Sequence, residues 1–123
     1  MILRSMIFGF GLLIAASAAQ AAGNASNGQA MFNRCAICHD NHKGGVNKIG
    51  PNLFGVVGRR AGTYPGFSYS DAMKSSGITW TNDKLDAYLT SPGEVVKGNK
   101  MAFAGIQNAS QRADVIAYLD TLK

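Results

Sequence analysis

Residues 35–39 read Cys35-Ala36-Ile37-Cys38-His39, and the fold follows from what two thiols and an imidazole at that spacing can hold. Thiols three residues apart on one helical turn reach the vinyl groups of neighbouring pyrroles and form two thioethers. The imidazole directly after the second thiol then faces the iron. This C-x-x-C-H pattern is the attachment signature of c-type haem, so the sequence predicts one covalent haem c on Cys35 and Cys38, with His39 on the iron. The competing accounts are weaker. Dithiol redox motifs accompany a βαβ pattern, which this chain lacks. Half a zinc site needs a second ligand pair, yet His42 is the only other histidine and no third cysteine exists. A disulfide closed across two intervening residues is strained.

A second ligand has to arrive from a segment that wraps to the other face of the iron. His42 follows His39 by three residues and stays on the proximal side, as a surface histidine. Met31 shares a helix with the motif and reads as core. Met6 departs with the leader described below. Met73 sits in a short helical stretch, where packing is the simpler account. Met101 lies in a glycine-flanked loop, Gly98-Asn-Lys-Met-Ala-Phe-Ala-Gly105, that brings backbone and a thioether close to a porphyrin, and it is the expected distal ligand. His/Met ligation raises the reduction potential and fills both axial positions. The expected task is then outer-sphere transfer of single electrons rather than catalysis. The alternative is a haem c peroxidase or small-ligand sensor with a labile sixth ligand, which carbon monoxide binding by the native reduced protein would favour.

Working towards the N-terminus, Arg4 precedes an apolar run over Met6–Ala16, and Ala19-Gln-Ala21 supplies small residues for a signal peptidase. The run falls short of the ~20 residues of a membrane span. A cleaved signal peptide over 1–21 and one domain over 22–123 are expected, exported to the periplasm, with an uncleaved membrane anchor as the competing possibility. The 123 residues carry a formal charge of +5. Loss of Arg4 leaves eleven basic against seven acidic side chains, or +4. So mild a balance, whose longest basic run is Arg59-Arg60, suits an acidic protein surface and excludes the clustered cations of nucleic-acid binding. Glycine is abundant, 15 of 123 residues against a usual ~7%, and most of it falls between Gly44 and Gly105. A domain of about 100 residues buries a modest core and gains from a staple.

Beyond the motif the pattern is all-α. Ser26 with Gln29 resembles a capping box that opens a helix carrying Gln29–Cys35 towards His39. Residues 40–69, rich in glycine and proline, read as loop. Ser70 caps a short helix through Lys74 that ends before Gly77. Thr81 caps another, with Leu85, Tyr88 and Leu89 on one face, and Pro92-Gly93 stops it. The last helix starts near Asn108 or Ser110 and places Val115, Tyr118, Leu119 and Leu122 on one stripe. Ile78-Thr-Trp80 is the only strand-like fragment.

From about Gly28 to Leu122 the chain resembles the class I cytochromes c, in the branch of mitochondrial cytochrome c and bacterial cytochrome c2. The matching stretches are Gly28-x-x-x-Phe32-x-x-Cys35-x-x-Cys38-His39, Gly50-Pro-Asn-Leu53, Gly58-Arg59, Pro65-Gly-Phe-Ser-Tyr69, Gly77-Ile-Thr-Trp80, Lys100-Met101-Ala-Phe103-Ala-Gly105 and Arg112-Ala-Asp-x-Ile116-Ala-Tyr118-Leu119. The resemblance implies three main helices, shorter helical turns and glycine-rich loops around one covalent haem. It implies Met101 as distal ligand, in agreement with the loop argument. It gives Pro51 the task of orienting His39 through the backbone oxygen of Gly50 or Pro51. Arg59, Tyr69 and Trp80 fall where the family places donors to a buried haem propionate, and Tyr88 where a phenol donates to the methionine sulfur. Gly28 and Phe32 with Tyr118 match a helix–helix packing contact.

Three positions depart from that pattern. Met73 stands where the family often has an asparagine beside the haem, which dries that side. Lys97 and Asn99 replace proline and threonine around Gly98, which predicts a looser, more basic ligand loop and one hydroxyl donor fewer for the propionate. Arg34, Lys48, Lys97 and Lys100 border the motif or the ligand loop and predict salt-sensitive docking to acidic surfaces. By resemblance the partners of a monomeric carrier are a bc1-type complex as donor and a terminal oxidase or photosynthetic reaction centre as acceptor.

Overall fold

Asn24, rather than Ser26, opens the first helix, α1 (Ala25–Phe32). Its side chain accepts from the Asn27 N–H at 2.9 Å, while its own N–H donates to Asp114 Oδ1 at 2.7 Å. The second bond explains the shift: a cap at residue 24 also ties the helix start to the C-terminal helix, which Ser26 does not. The computed structural model describes Gly9, Gly11, Leu12 and residues 23–123. Apart from those three residues, the leader expected over 1–21 lies outside the described residues. No helix among the described residues is long and apolar enough to cross a membrane.

α1 stops at Phe32, earlier than the spacing suggested, and the attachment motif continues as tight turns. The N–H groups of Cys35 and Ala36 both donate to Phe32 O at 2.8 Å, and the His39 N–H donates to Cys35 O at 2.9 Å. Then follow α2 (Asp71–Ser75), α3 (Asn82–Thr90), α4 (Pro92–Val95) and α5 (Ala109–Asp120). Ser70, Thr81 and Asn108 cap α2, α3 and α5 through their side chains, as their residue types favour. Pro92 both stops α3 and opens α4, where the first helical position tolerates its missing N–H. Between Asp40 and Ser70 the backbone is loop and turn, as expected. The described residues contain no strand, only an isolated antiparallel bridge between Arg60 and Thr79. Beside it, Trp80 N–H donates to Arg59 O at 2.9 Å and Ala61 N–H to Ile78 O at 2.7 Å, which brings Arg59 and Trp80 together.

α1 crosses α5 at Gly28. A Cβ there would run into the Asp114 carbonyl, so only glycine lets the two backbones approach this closely. Next to the crossing, the Phe32 and Tyr118 rings sit 5.2 Å apart at 57°, a tilted aromatic contact. Val115, Ile116, Leu119 and Leu122 from the C-terminal segment join Leu85 and Tyr88 of α3, Val96 and Ile106 in one buried cluster. The stripe read from the sequence is thus the core face of α5, with Ile116 added to it and Leu122 lying just past the end of the helix.

Candidate cofactor site

A cavity of about 410 Å³ opens between the attachment motif, the 50s loop, α2, α3 and the loop after α4. The volume lies within the ~300–1,000 Å³ usual for cofactor sites. Cys35, Cys38, His39, Pro51, Arg59, Tyr69, Trp80, Tyr88 and Met101 all line it, so every residue expected to hold or contact the haem is brought to one site. Met73 lines it too, from α2.

His39 is held by its backbone neighbours. Its Nδ1–H donates to Pro51 O at 2.7 Å. A carbonyl only accepts, so Nδ1 carries the proton and Nε2 keeps a free lone pair for a metal. Of the two oxygens considered, Pro51 supplies the acceptor. A Cβ on Gly50 would intrude on the imidazole, so the ring rests directly on glycine backbone. Burial holds the His39 pKa below the usual range, with the Pro51 bond opposing and Lys48 adding slightly. The ring is therefore neutral and ready to ligate. Cys35 and Cys38 are both free thiols. Burial, then the neighbouring Cys38, raises the Cys35 pKa against the pull of Arg34, which keeps a thiol rather than a thiolate there.

Arg59 carries the charge argument. The guanidinium donates from Nη1 to Asn52 O at 3.0 Å and from Nη2 to Phe54 O, and lies 4.5 Å over the Tyr64 ring. It is half-buried, and burial lowers its pKa. Among the described residues no carboxylate forms an ion pair with it. Even a half-buried cation gains from an anion, and its remaining N–H donors suit a carboxylate brought in by the cofactor. The Tyr69 phenol accepts from Tyr64 N–H at 3.2 Å, and burial raises its pKa. Trp80 packs on Tyr88 at 4.8 Å. Burial alone pushes the Tyr88 phenol up to about 12, which keeps its O–H as a donor. Two thiols, a neutral imidazole with a free nitrogen, a thioether and an unpaired cation around one largely apolar cavity fit a haem with its propionates.

Other residues fell where expected. His42 is exposed and binds Asp40 Oδ1 at 2.7 Å, and Met31 packs against the core. Arg34, Lys48, Lys97 and Lys100 are exposed. No group of three or more His, Cys, Asp or Glu side chains among the described residues is poised to hold a metal ion by itself. The loop that Lys97 and Asn99 were expected to loosen is instead tied: Asn99 Oδ1 accepts from Met101 N–H at 2.8 Å and Asn99 Nδ2 donates to Val96 O at 2.9 Å. Asn52, fully buried, also escaped the sequence reading. It donates to His42 O and Gly45 O and accepts from Phe54 N–H, and so shapes the turn behind Pro51.

Helical turns wrapped around such a cavity, with a C-x-x-C-H turn on its wall, define a cytochrome of the class I fold. The cytochrome c family model matches residues 25–123, and the chain belongs to that family. It is 43% identical to cytochrome c2 of Blastochloris viridis over 95% of this chain and 92% of that protein. It is 48% identical to cytochrome c2 of Rhodomicrobium vannielii over 89% of this chain and 87% of that one. Among solved structures, cytochrome cH from Methylobacterium extorquens superposes with a TM-score of 0.76 at 43% identity, over 80% of this chain and 99% of its own. The chain is accordingly an electron carrier with iron-containing haem c as its cofactor.

Proposed function

We propose that the chain is a one-electron shuttle of the periplasm, with iron held between His39 and Met101. The observation that carries the proposal is the convergence of a neutral, oriented His39 and the Met101 loop on one cavity beside two free thiols. Haem c supplies a reversible one-electron couple when bound. Cys35 and Cys38 would hold the haem covalently, each as a thioether to one vinyl group. Pro51 fixes the His39 ring and raises its basicity. Arg59, Tyr69 and Trp80 donate to a propionate, and Tyr88 donates to the Met101 thioether. With His39 and Met101 both ligating, no position would remain for a reacting substrate, and the chain would act as a carrier rather than an enzyme.

The leader over 1–21 is cleaved on export, leaving a monomeric domain over 22–123. Partners dock at the cavity rim, where Ile37 and Ile49 are 72% and 77% exposed beside the cations Arg34, Lys48 and Lys100. Exposed apolar side chains accompanied by cations match an acidic protein surface. A bc1-type donor and a terminal oxidase or photosynthetic reaction centre as acceptor have that chemistry; nucleic acid does not suit so small a positive field.

The first experiment is an optical spectrum of the oxidised and reduced protein beside Met101→Ala. The native oxidised protein is expected to show the weak long-wavelength methionine–iron band. The variant is expected to lose it and to bind carbon monoxide when reduced. A variant spectrum identical to the native one would remove Met101 from the iron, put Met73 or an open position there, and revive the sensor or peroxidase alternative.

A further inference from the structure

The chain segment that presents Met101 is held at both ends, by different means. On its far side, Ile106 N–H donates to Leu89 O at 2.7 Å. Arg112 there donates from Nη1 to the carbonyls of Ile106 and Gln107 at 2.9 and 3.0 Å, and from Nε to Asp86 Oδ1 at 2.8 Å. On its near side the connections to the core run through one residue. Asn99 donates to Val96 O twice, from its backbone N–H at 3.2 Å and from Nδ2 at 2.9 Å, and its Oδ1 accepts from Met101 N–H at 2.8 Å. Val96 is only 4% exposed, so the anchor belongs to the core. Asn99 itself is half-buried and lines the cofactor cavity.

The amide suits this place better than a hydroxyl, which also donates and accepts but does both through one oxygen on a shorter side chain. Val96 O can only accept and Met101 N–H can only donate, so the side chain has to donate on one side and accept on the other at once. An amide does both in one fixed orientation, and its two partners decide which end is oxygen. A serine hydroxyl in the same turn accepts from the residue two ahead more weakly, and alanine does neither.

We propose that Asn99 is a positioning residue for Met101: a brace between the buried Val96 carbonyl and the Met101 backbone that sets how easily another ligand displaces the thioether. The proposal rests on Met101 being the distal ligand. Lys100 supports the brace only from outside, through an exposed 3.3 Å bond to Ser68 O. The brace spans six residues and contributes little to the packing of α1, α3 and α5, so its loss acts on ligand exchange before it acts on the fold.

The test is an imidazole titration of the oxidised holoprotein, followed at the methionine–iron band, with thermal unfolding in parallel. Asn99→Ala is expected to bind imidazole about tenfold more tightly than the native protein, the effect of losing two hydrogen bonds of ordinary net strength. Asn99→Ser is expected between the two, with the band retained before imidazole is added. Gln107→Ala removes a 3.1 Å bond to Thr90 O on the far side of the loop and is expected to leave the imidazole affinity unchanged. An Asn99→Ala affinity equal to the native one overturns the proposal. So does a rise of the same size in Gln107→Ala, which would mean general loosening of the loop. A native protein without the methionine band overturns the Met101 assignment itself and the brace with it. If Asn99→Ala fails to retain haem, Asn99→Ser decides by the same comparison.

Discussion

Asn52 shows how much one side chain settles in a domain made largely of loops. It is wholly inaccessible, and its polar atoms meet the backbone of His42, Gly45 and Phe54 and, through its carbonyl, Arg59. The carbonyl that orients His39 is on the residue just before it. Asn52→Leu keeps the volume and removes the amide, leaving the Gly45 carbonyl and the Phe54 N–H without that partner, while the His42 carbonyl keeps the Gly45 N–H. Each buried group left unpaired costs about 1–3 kcal/mol, so a loss of roughly 3 kcal/mol is expected in denaturant unfolding of the holoprotein, with an unchanged slope. A midpoint equal to the native one would mean that the cofactor alone holds this turn. The thiols, His39 and Met101 were legible in the sequence because their chemistry is written in residue type and spacing. Asn52 and Asn99 were not, because an amide in a loop acquires its meaning only from the groups that the fold sets against it.

At the scale of elements, the crossing of α1 and α5 sets two small effects against each other. Alanine is intrinsically a better helix residue than glycine by up to ~1 kcal/mol. At Gly28, however, the added methyl meets the Asp114 backbone, and overpacking of this kind costs about 1–3 kcal/mol. Overpacking wins, so Gly28→Ala is expected to lower stability by roughly 1–2 kcal/mol in chemical unfolding; a neutral or stabilising result would show that the helices can slide apart freely. Arg112, with its side chain only 12% exposed, joins α5 to α3 and to the end of the ligand loop. Arg112→Met is expected to cost about 2 kcal/mol or more, since Asp86 and two carbonyls lose a charged donor, and thermal unfolding measures it. The caps at Ser70, Thr81 and Asn108 and the stripe on α5 could be read from the sequence, where local chemistry decides. The start of α1 could not, because the bond to Asp114 that favours Asn24 joins residues ninety apart.

For the molecule as a whole, the cofactor is a large part of the core. Leaving a 410 Å³ cavity empty would cost on the order of 10 kcal/mol at the usual price per unit of cavity volume. That equals the entire stability of a typical domain, about 5–15 kcal/mol. Apoprotein made by replacing Cys35 and Cys38 with alanine and withholding haem is expected to lack a cooperative thermal transition; a full native-like transition would show a core sufficient without it. The exposed cations at the cavity rim act at the same scale. Association with an acidic redox partner is expected to slow as ionic strength rises and screening shortens to ~8 Å, and Lys100→Glu should slow it further at low salt, measured by stopped flow. A rate indifferent to salt would place docking elsewhere.

The wall of the cavity also carries the chain's single tryptophan, Trp80, 7% exposed and in tilted contact with Tyr88. Its indole emits in the near-ultraviolet, where a porphyrin absorbs, so with haem held in this cavity the emission is expected to be drained by energy transfer. The chain thus carries its own optical ruler. Its fluorescence stays dark while Trp80 keeps its place and brightens as the loops part, which reports the opening of the cofactor pocket without any attached dye.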